Sequence, residues 1–387
     1  MNFYWFCCFF RQFRRPTKEK HELDFEPPIK YPWSDNGNLN PKDFILEEKD
    51  HGVFGRAPGE INGQQFVIRN CKNSFIYLLD HINTITVDDC DSCTILTGPV
   101  RTSIFIRDCH KCHIMTACQQ FRTRDCRDLT IFLACVTEPI IESSTGMAFG
   151  PYQCYYPELE AQFNAAGLSI FNCNWSDVYD FTPDPDGEAN IRLLEPDEKV
   201  EQYIPNPKEA LERKMNANGI EAAPDENTIA LLKSFASINI SFSPKDSLVP
   251  VTLGNRPLAS TEYLYGCAII AIFYHLGASS CAKTIISHLQ ENPSCCLVRT
   301  RNSKFSEYDF ERVFGIPAKS KQAKVGSVIT LEVAGPRDTV GYICEEAAMK
   351  AGALYDSAFI HVTNDPEKAS HQRAMLNGLY RMHMDTH

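Results

Sequence analysis

Two tandem CxxC pairs, Cys90-Asp91-Ser92-Cys93 and Cys109-His110-Lys111-Cys112, have the residue types and spacing of a structural zinc site. A second string suits different chemistry: Cys118-Gln119-Gln120-Phe121-Arg122-Thr123-Arg124-Asp125-Cys126. It sets amides and guanidiniums close together, which are donors fitted to an anion or an acidic partner. A nucleotide-binding GxxxxGK[ST] loop is absent from the sequence. His275 follows the apolar run Ala268–Tyr274, and His361 lies in Phe359-Ile360-His361-Val362. Both read as structural or strand-end histidines.

What must position these residues is a repeat. Arg69-Asn70-Cys71, Asp88-Asp89-Cys90, Arg107-Asp108-Cys109 and Arg124-Asp125-Cys126 recur 19, 19 and 17 residues apart. Aligned on the cysteine, Phe66, Ile85, Ile104 and Phe121 stand five before it. Ile76, Ile95, Ile114 and Ile131 stand five after it. Each flank alternates with period 2, the pattern of a strand. Short strands stacked at this period predict a parallel β-helix, in which each coil buries its inward side chains against the next.

The repeat bears on both candidate sites. The column of the second cysteines, Cys93 and Cys112, also holds Ser74 and Leu129. That position accepts small or apolar residues, so core packing is favoured over zinc, and no metal is expected. Four before the repeat cysteine stand Val67, Thr86, Phe105 and Arg122, and two before stand Arg69, Asp88, Arg107 and Arg124. These columns point outward. Arg122 is the odd member of its column. It shares one face with Arg124 and Gln120, and Gln119 is placed at the edge just before the strand. The competing reading is a solvated basic face.

The chain has 387 residues and a net charge of -11, which argues against a general nucleic-acid binder. Its longest apolar stretch, Cys267 to Ala278, is too short to cross a bilayer. There are seventeen cysteines, and the first ten residues have no secretory-signal pattern. The expected setting is therefore cytoplasmic, with reduced thiols serving as small buried hydrophobes. Residues 1–40 begin with six aromatics and the pair Cys7-Cys8, followed by Arg11, Arg14, Arg15, Lys18 and Lys20. A membrane-targeting segment, palmitoylated at Cys7 and Cys8 and peripheral on the plasma membrane, is favoured over a floppy terminus. Residue 2 is Asn, so the myristoylation pattern is absent. Residues 41–182 hold the repeat. Residues 183–226, rich in proline and acidic residues, read as a linker with a short helix from Pro207 to Met215. Residues 227–387 alternate apolar runs with helix-like segments, which predicts a small α/β or α+β domain. Lys319, Lys321 and Lys324 read as a solvated loop.

The Cys118–Cys126 string resembles the signature of the tubulin-folding cofactor C domain family. Gly63-Gln64-Gln65-Phe66, Gly98-Pro99-Val100, Pro139–Ser144 and Asp180-Phe181-Thr182-Pro183 support the resemblance, which spans about residues 41–183. It implies a right-handed parallel β-helix. It also implies GTPase-activating activity toward an ARF-like small GTPase in the GTP state, in trafficking of lipidated proteins to cilia, with a location at the ciliary base. Arg122 would be the arginine finger, supported by Gln119, and residues matching Glu142 and Phe181 would face the GTPase. GTP and Mg²⁺ would be carried by that partner, with no cofactor intrinsic to this chain. The C-terminal part resembles more loosely a nucleoside-diphosphate-kinase-like domain of ferredoxin-like architecture. It lacks the Asn-x-x-His-Gly-Ser segment around the phosphorylated histidine, so no kinase activity is expected. The alternatives are a non-catalytic GTP-dependent effector or adaptor, a tubulin-folding cofactor, and residual phosphotransfer by the C-terminal domain.

Overall fold

The computed structural model describes residues 39–184, 187–218, 226–235, 238–257, 265–273, 276–317, 320 and 326–384. Cys7, Cys8, His275, Lys319, Lys321 and Lys324 lie outside them. The first part is a parallel β-solenoid of about six coils. Its strands are β1 (Ile45–Glu47), β2 (Val53–Arg56), β3 (Phe66–Arg69), β4 (Phe75–Leu78), β5 (Ile85–Asp88), β6 (Thr94–Arg107), β7 (His113–Arg124), β8 (Thr130–Cys135), β9 (Ile140–Glu142), β10 (Met147–Pro151), β11 (Tyr179–Asp180) and β12 (Ile191–Leu193). One face runs β1-β3-β5-β6-β7-β9-β11 and a second runs β2-β4-β6-β7-β8-β10-β12, all in parallel register. Strands β6 and β7 are long because each continues from the second face onto the first.

The corner between the faces explains the repeat. In each coil two residues three apart take the left-handed conformation: Glu48 and His51, Asn70 and Asn73, Asp89 and Ser92, Asp108 and Lys111, Asp125 and Asp128, Ser143 and Gly146. Asn and Asp tolerate this region better than other non-glycine residues, which is why they precede the repeat cysteine. The cysteine that follows is buried, and its thiol donates to the carbonyl two residues back. Cys90 bonds Asp88 O at 3.3 Å, Cys109 bonds Arg107 O at 3.1 Å and Cys126 bonds Arg124 O at 3.2 Å. Ser144 makes the same bond to Glu142 O at 2.8 Å. In the second column Ser74, Cys93 and Cys112 bond Lys72 O, Asp91 O and His110 O in the same way. The first column favours a small donor that fits the corner and satisfies a carbonyl there, while the second takes such a donor in three coils and the apolar Leu129 in another. The thiols of both CxxC pairs are built into this ladder. Elsewhere in the solenoid, burial pushes the Cys154 and Cys173 thiols up to about 12.

The 183–226 stretch is packed against the solenoid over much of its described length. It adds β12 to the second face and forms α2 (Val200–Tyr203) and α3 (Pro207–Asn218), after α1 (Leu159–Ala166) in the last coil. Leu194, Val200, Ile204 and Ala210 are buried, and the Tyr77 hydroxyl donates to Pro205 O at 2.7 Å. Helix α4 (Glu226–Phe235) ends with Phe235 edge-on to Tyr77.

The second domain comprises β13 (Tyr265–Phe273), α5 (Ala278–Gln290), β14 (Cys296–Lys304), α6 (Glu307–Phe314), β15 (Ser327–Pro336), α7 (Val340–Gly352), β16 (Ile360–Thr363) and α8 (Pro366–Met384). The strand order β14-β15-β13-β16, antiparallel throughout, is that of a ferredoxin-like sheet. Alternate residues of β13 enter two cores. Ala268, Ile270 and Ile272 pack in one core with α5 and α7, while Ile269, Ala271 and Phe273 pack in the other with α6 and α8. The β-helix and the ferredoxin-like second domain expected from the sequence are both present. His361, on β16, is half-buried with its ring edge-on to Phe314, and burial lowers its pKa.

Two outcomes test this account. Cys109→Ser keeps the corner donor and should unfold in urea within about 1 kcal/mol of the parent, whereas Cys109→Leu overfills the corner and should lose about 1–3 kcal/mol. Asp80, buried, accepts from the backbone N–H groups of Gly59, Ile61 and Asn62 at 3.0, 2.8 and 2.6 Å. Burial raises its pKa, but His81 and these N–H groups outweigh that and hold it below the ordinary value. Its contribution to stability is therefore complete above the unfolded-state pKa of about 3.9 and disappears as pH falls through the lower folded value. Asp80→Asn should flatten the acid limb of a stability-against-pH curve.

Candidate functional site

Strand β7 positions Arg122 by pinning its neighbours. Phe121 is fully buried and lies edge-on to Phe149, at 6.0 Å between ring centres. Thr123 is buried too, and its hydroxyl donates to Ser144 Oγ at 3.3 Å. With both neighbours locked inward, strand alternation sends Arg122 outward, where it is exposed.

Parallel register sets its surroundings. Arg122 stands beside Phe105 of β6 on one side and Ile140 of β9 on the other, and Tyr179 of β11 follows Ile140 in the same row. The row below is charged: Asp88, Arg107, Arg124 and Glu142. There Arg107 makes a two-pronged bond to Asp88, at 2.8 Å for each prong, and Arg124 reaches Asp125 at 3.1 Å. Arg122 has no ion pair or hydrogen bond to any described side chain. Its row offers aromatic and aliphatic neighbours instead of carboxylates, so the guanidinium keeps its donors free for an anion brought by another molecule.

Beyond β9 the face is extended by aromatics. Phe181 is 64% exposed and Tyr179 51%, with ring centres 6.2 Å apart. Their strand is fixed by Phe181 N donating to Ile141 O at 2.9 Å, and by Thr182 N donating to Asp180 Oδ1, also at 2.9 Å. Phe105, Gln120, Arg122, Arg124, Glu142 and Phe181 are thus brought onto one side of the solenoid. Gln120 is half-buried and meets Ser103 across the register.

Gln119 is placed differently from the sequence expectation. It lies inside the continuous strand β7, not at an edge before it. The register between β6 and β7 shifts between Val100 and Ser103, so Gln119 faces a bulge in the preceding coil. Bulges redirect side chains and are common beside functional sites. The Gln119 carbonyl is held by Thr137, whose N and Oγ1 both donate to it at 3.0 Å. Ile140 and Tyr179 were not singled out from the sequence. Tyr179 shares strand parity with Phe181, a signal that two residues of strand are too short to display. Among the described residues no group of three His, Cys, Asp or Glu side chains is arranged to hold a metal.

Comparison with known proteins places this face in a family. The chain is 38% identical to mouse Protein XRP2 over 366 residues, covering 94% of this chain and 95% of the relative. The chain belongs to the XRP2 family. The model of the family described as Tubulin binding cofactor C matches residues 63–181, which include every residue of the face described above. Bovine Tubulin-specific chaperone C is 38% identical over 129 residues, 33% of this chain and 37% of that protein. A solved Tubulin Binding Cofactor C from Leishmania major aligns with TM-score 0.28 at 22% identity, covering 39% of this chain and 90% of that one.

Arg122→Ala removes an exposed, unpaired side chain and should shift urea stability by no more than about 0.5 kcal/mol. A larger loss would mean that the side chain packs.

Proposed function

We propose that this XRP2-family chain is a GTPase-activating protein for an ARF-like small GTPase, with Arg122 acting in trans. The observation that carries this reading is the exposed Arg122 without an ion pair, framed by Phe105, Ile140 and Tyr179 on a rigid sheet. In phosphoryl transfer, charge builds on the oxygens of the transferring group while proteins do little covalent work. A guanidinium inserted from outside contributes about 10³–10⁵ in rate, roughly 4–7 kcal/mol of barrier. Residues packed on either side of Arg122 hold its backbone before the partner arrives, so little ordering is left for the encounter.

In this proposal Gln119 supports Arg122 at the nucleotide. Phe105, Gln120, Arg124, Glu142 and Phe181 form the docking surface for the GTP-bound partner, which carries GTP and Mg²⁺. The aromatics supply apolar area, and the charged row sets orientation. Palmitoylation at Cys7 and Cys8, with the basic residues that follow, would hold the chain peripherally on the plasma membrane and at the ciliary base, where it serves transport of lipidated proteins.

Single-turnover GTP hydrolysis by a purified ARF-like GTPase tests the central claim. The parent should accelerate hydrolysis strongly, and Arg122→Ala should abolish the acceleration while retaining GTP-dependent binding. Arg122→Lys should recover little, because an ammonium lacks the planar fork. Binding without acceleration by the parent would make the chain an effector.

A further inference from the structure

The second domain meets the last solenoid coil along β14. Thr300 Oγ1 donates to Phe171 O at 2.8 Å, Asn302 N donates to Asn172 Oδ1 at 2.7 Å, and Asn172 Nδ2 returns a bond to Asn302 O at 3.2 Å. Beside this seam, a chain of net charge -11 collects arginines. A cleft of about 840 Å³ has Arg256, Arg299, Arg337 and Arg373 on its wall, against Glu332 and Glu367. Two smaller cavities also reach Arg299, and Arg301 lines both.

Arg301 lies behind the large cleft and lines only the two smaller cavities. It is only 9% exposed, yet its partners are neutral. Nη1 donates to Asn377 Oδ1 at 2.7 Å, and the guanidinium lies over the Tyr380 ring at 4.4 Å. Arg299 bonds Asp177 at 3.2 Å and reaches the same Asn377 oxygen at 3.4 Å. Two largely buried guanidiniums therefore converge on one amide oxygen, and Asp177 is the only carboxylate within ion-pair reach of either among the described residues. A buried charge without a counter-charge is costly. Burial first, and then Arg299, pull the Arg301 guanidinium down to about 10. Arg373, 49% exposed at the cleft wall, leans on Glu332 at 3.1 Å.

We propose that the large cleft at this seam binds a phosphate-bearing anion, with Arg299 and Arg373 on its wall as ligands and the buried charge of Arg301, which shares Asn377 with Arg299, adding to the attraction from behind. Several convergent planar forks suit the oxygens of a phosphate ester or polyphosphate, where one fork alone would satisfy a carboxylate. The cleft volume is within the range of small-molecule sites. The site is separate from the Arg122 face and does not depend on the GTPase reading. Its ligand can be a free polyphosphate or a phosphorylated lipid headgroup.

Calorimetric titration of the full chain with inorganic tripolyphosphate, paired with sedimentation on phosphatidylcholine vesicles with and without phosphatidylinositol bisphosphate, tests the proposal. The expected result is saturable, salt-sensitive binding that weakens about tenfold or more in Arg299→Gln and in Arg373→Gln, the scale of one lost charge-assisted bond. Tripolyphosphate binding identifies a free phosphate as a ligand, and binding confined to the phosphoinositide vesicles identifies a headgroup. If Arg299→Gln does not fold, Arg373→Gln decides. Absence of binding to both probes, or binding that neither substitution changes, overturns the proposal and leaves the arginines as mortar between domains.

Discussion

Everything on the solenoid face depends on the corner. In each coil the chain turns through two left-handed residues three apart, and in most coils an inward thiol or hydroxyl ties off a carbonyl beside the turn. A left-handed non-glycine residue costs roughly 1–2 kcal/mol, so the corner persists because the coils above and below repeat it and share its hydrogen bonds. Stacked corners leave no freedom for register to slip. A slip by one residue would turn Arg122 inward and Phe121 outward. The position of one guanidinium is thus set by corners that it does not touch.

That dependence explains what could be read in advance. The columns of Phe66, Ile85, Ile104 and Phe121 carry period-2 alternation, which is local and survives in sequence, so the outward side of Arg122 was legible. The Asn or Asp before each repeat cysteine was visible as a motif. Its reason was not, because left-handed backbone leaves only a composition bias. The bulge opposite Gln119 was hidden for a different cause. It arises from unequal spacing between coils, 19 residues and then 17, and appears only once two strands are laid side by side. In the second domain the apolar runs marked β13 and β15, but strand order joins segments far apart in the chain. The seam is harder still: Asn172 and Asn302 are 130 residues apart, and nothing in either neighbourhood names the other.

The two domains treat arginine in opposite ways. On the solenoid, Arg107 is neutralised by Asp88 and Arg122 is left open in an apolar frame. At the seam, arginines are crowded, Arg299 and Arg301 are largely enclosed, and their charge is only partly answered by protein groups. The two arrangements share one segment. Asp177, which meets Arg299, lies two residues before Tyr179 on the aromatic edge of the open face.

A stack of parallel strands is by nature an unfinished object, since each terminal strand is a template for one more. This one ends in strands that are poor templates. Among the described residues the first on the two faces, β1 and β2, have three and four residues, and the last, β11 and β12, have two and three. Such stubs offer too few backbone groups to seat a strand from another molecule. The long strands, β6 and β7, are kept in the middle, flanked on both faces. An architecture that shares its spacing with fibrils thus presents, at its described ends, only short lengths of open strand edge.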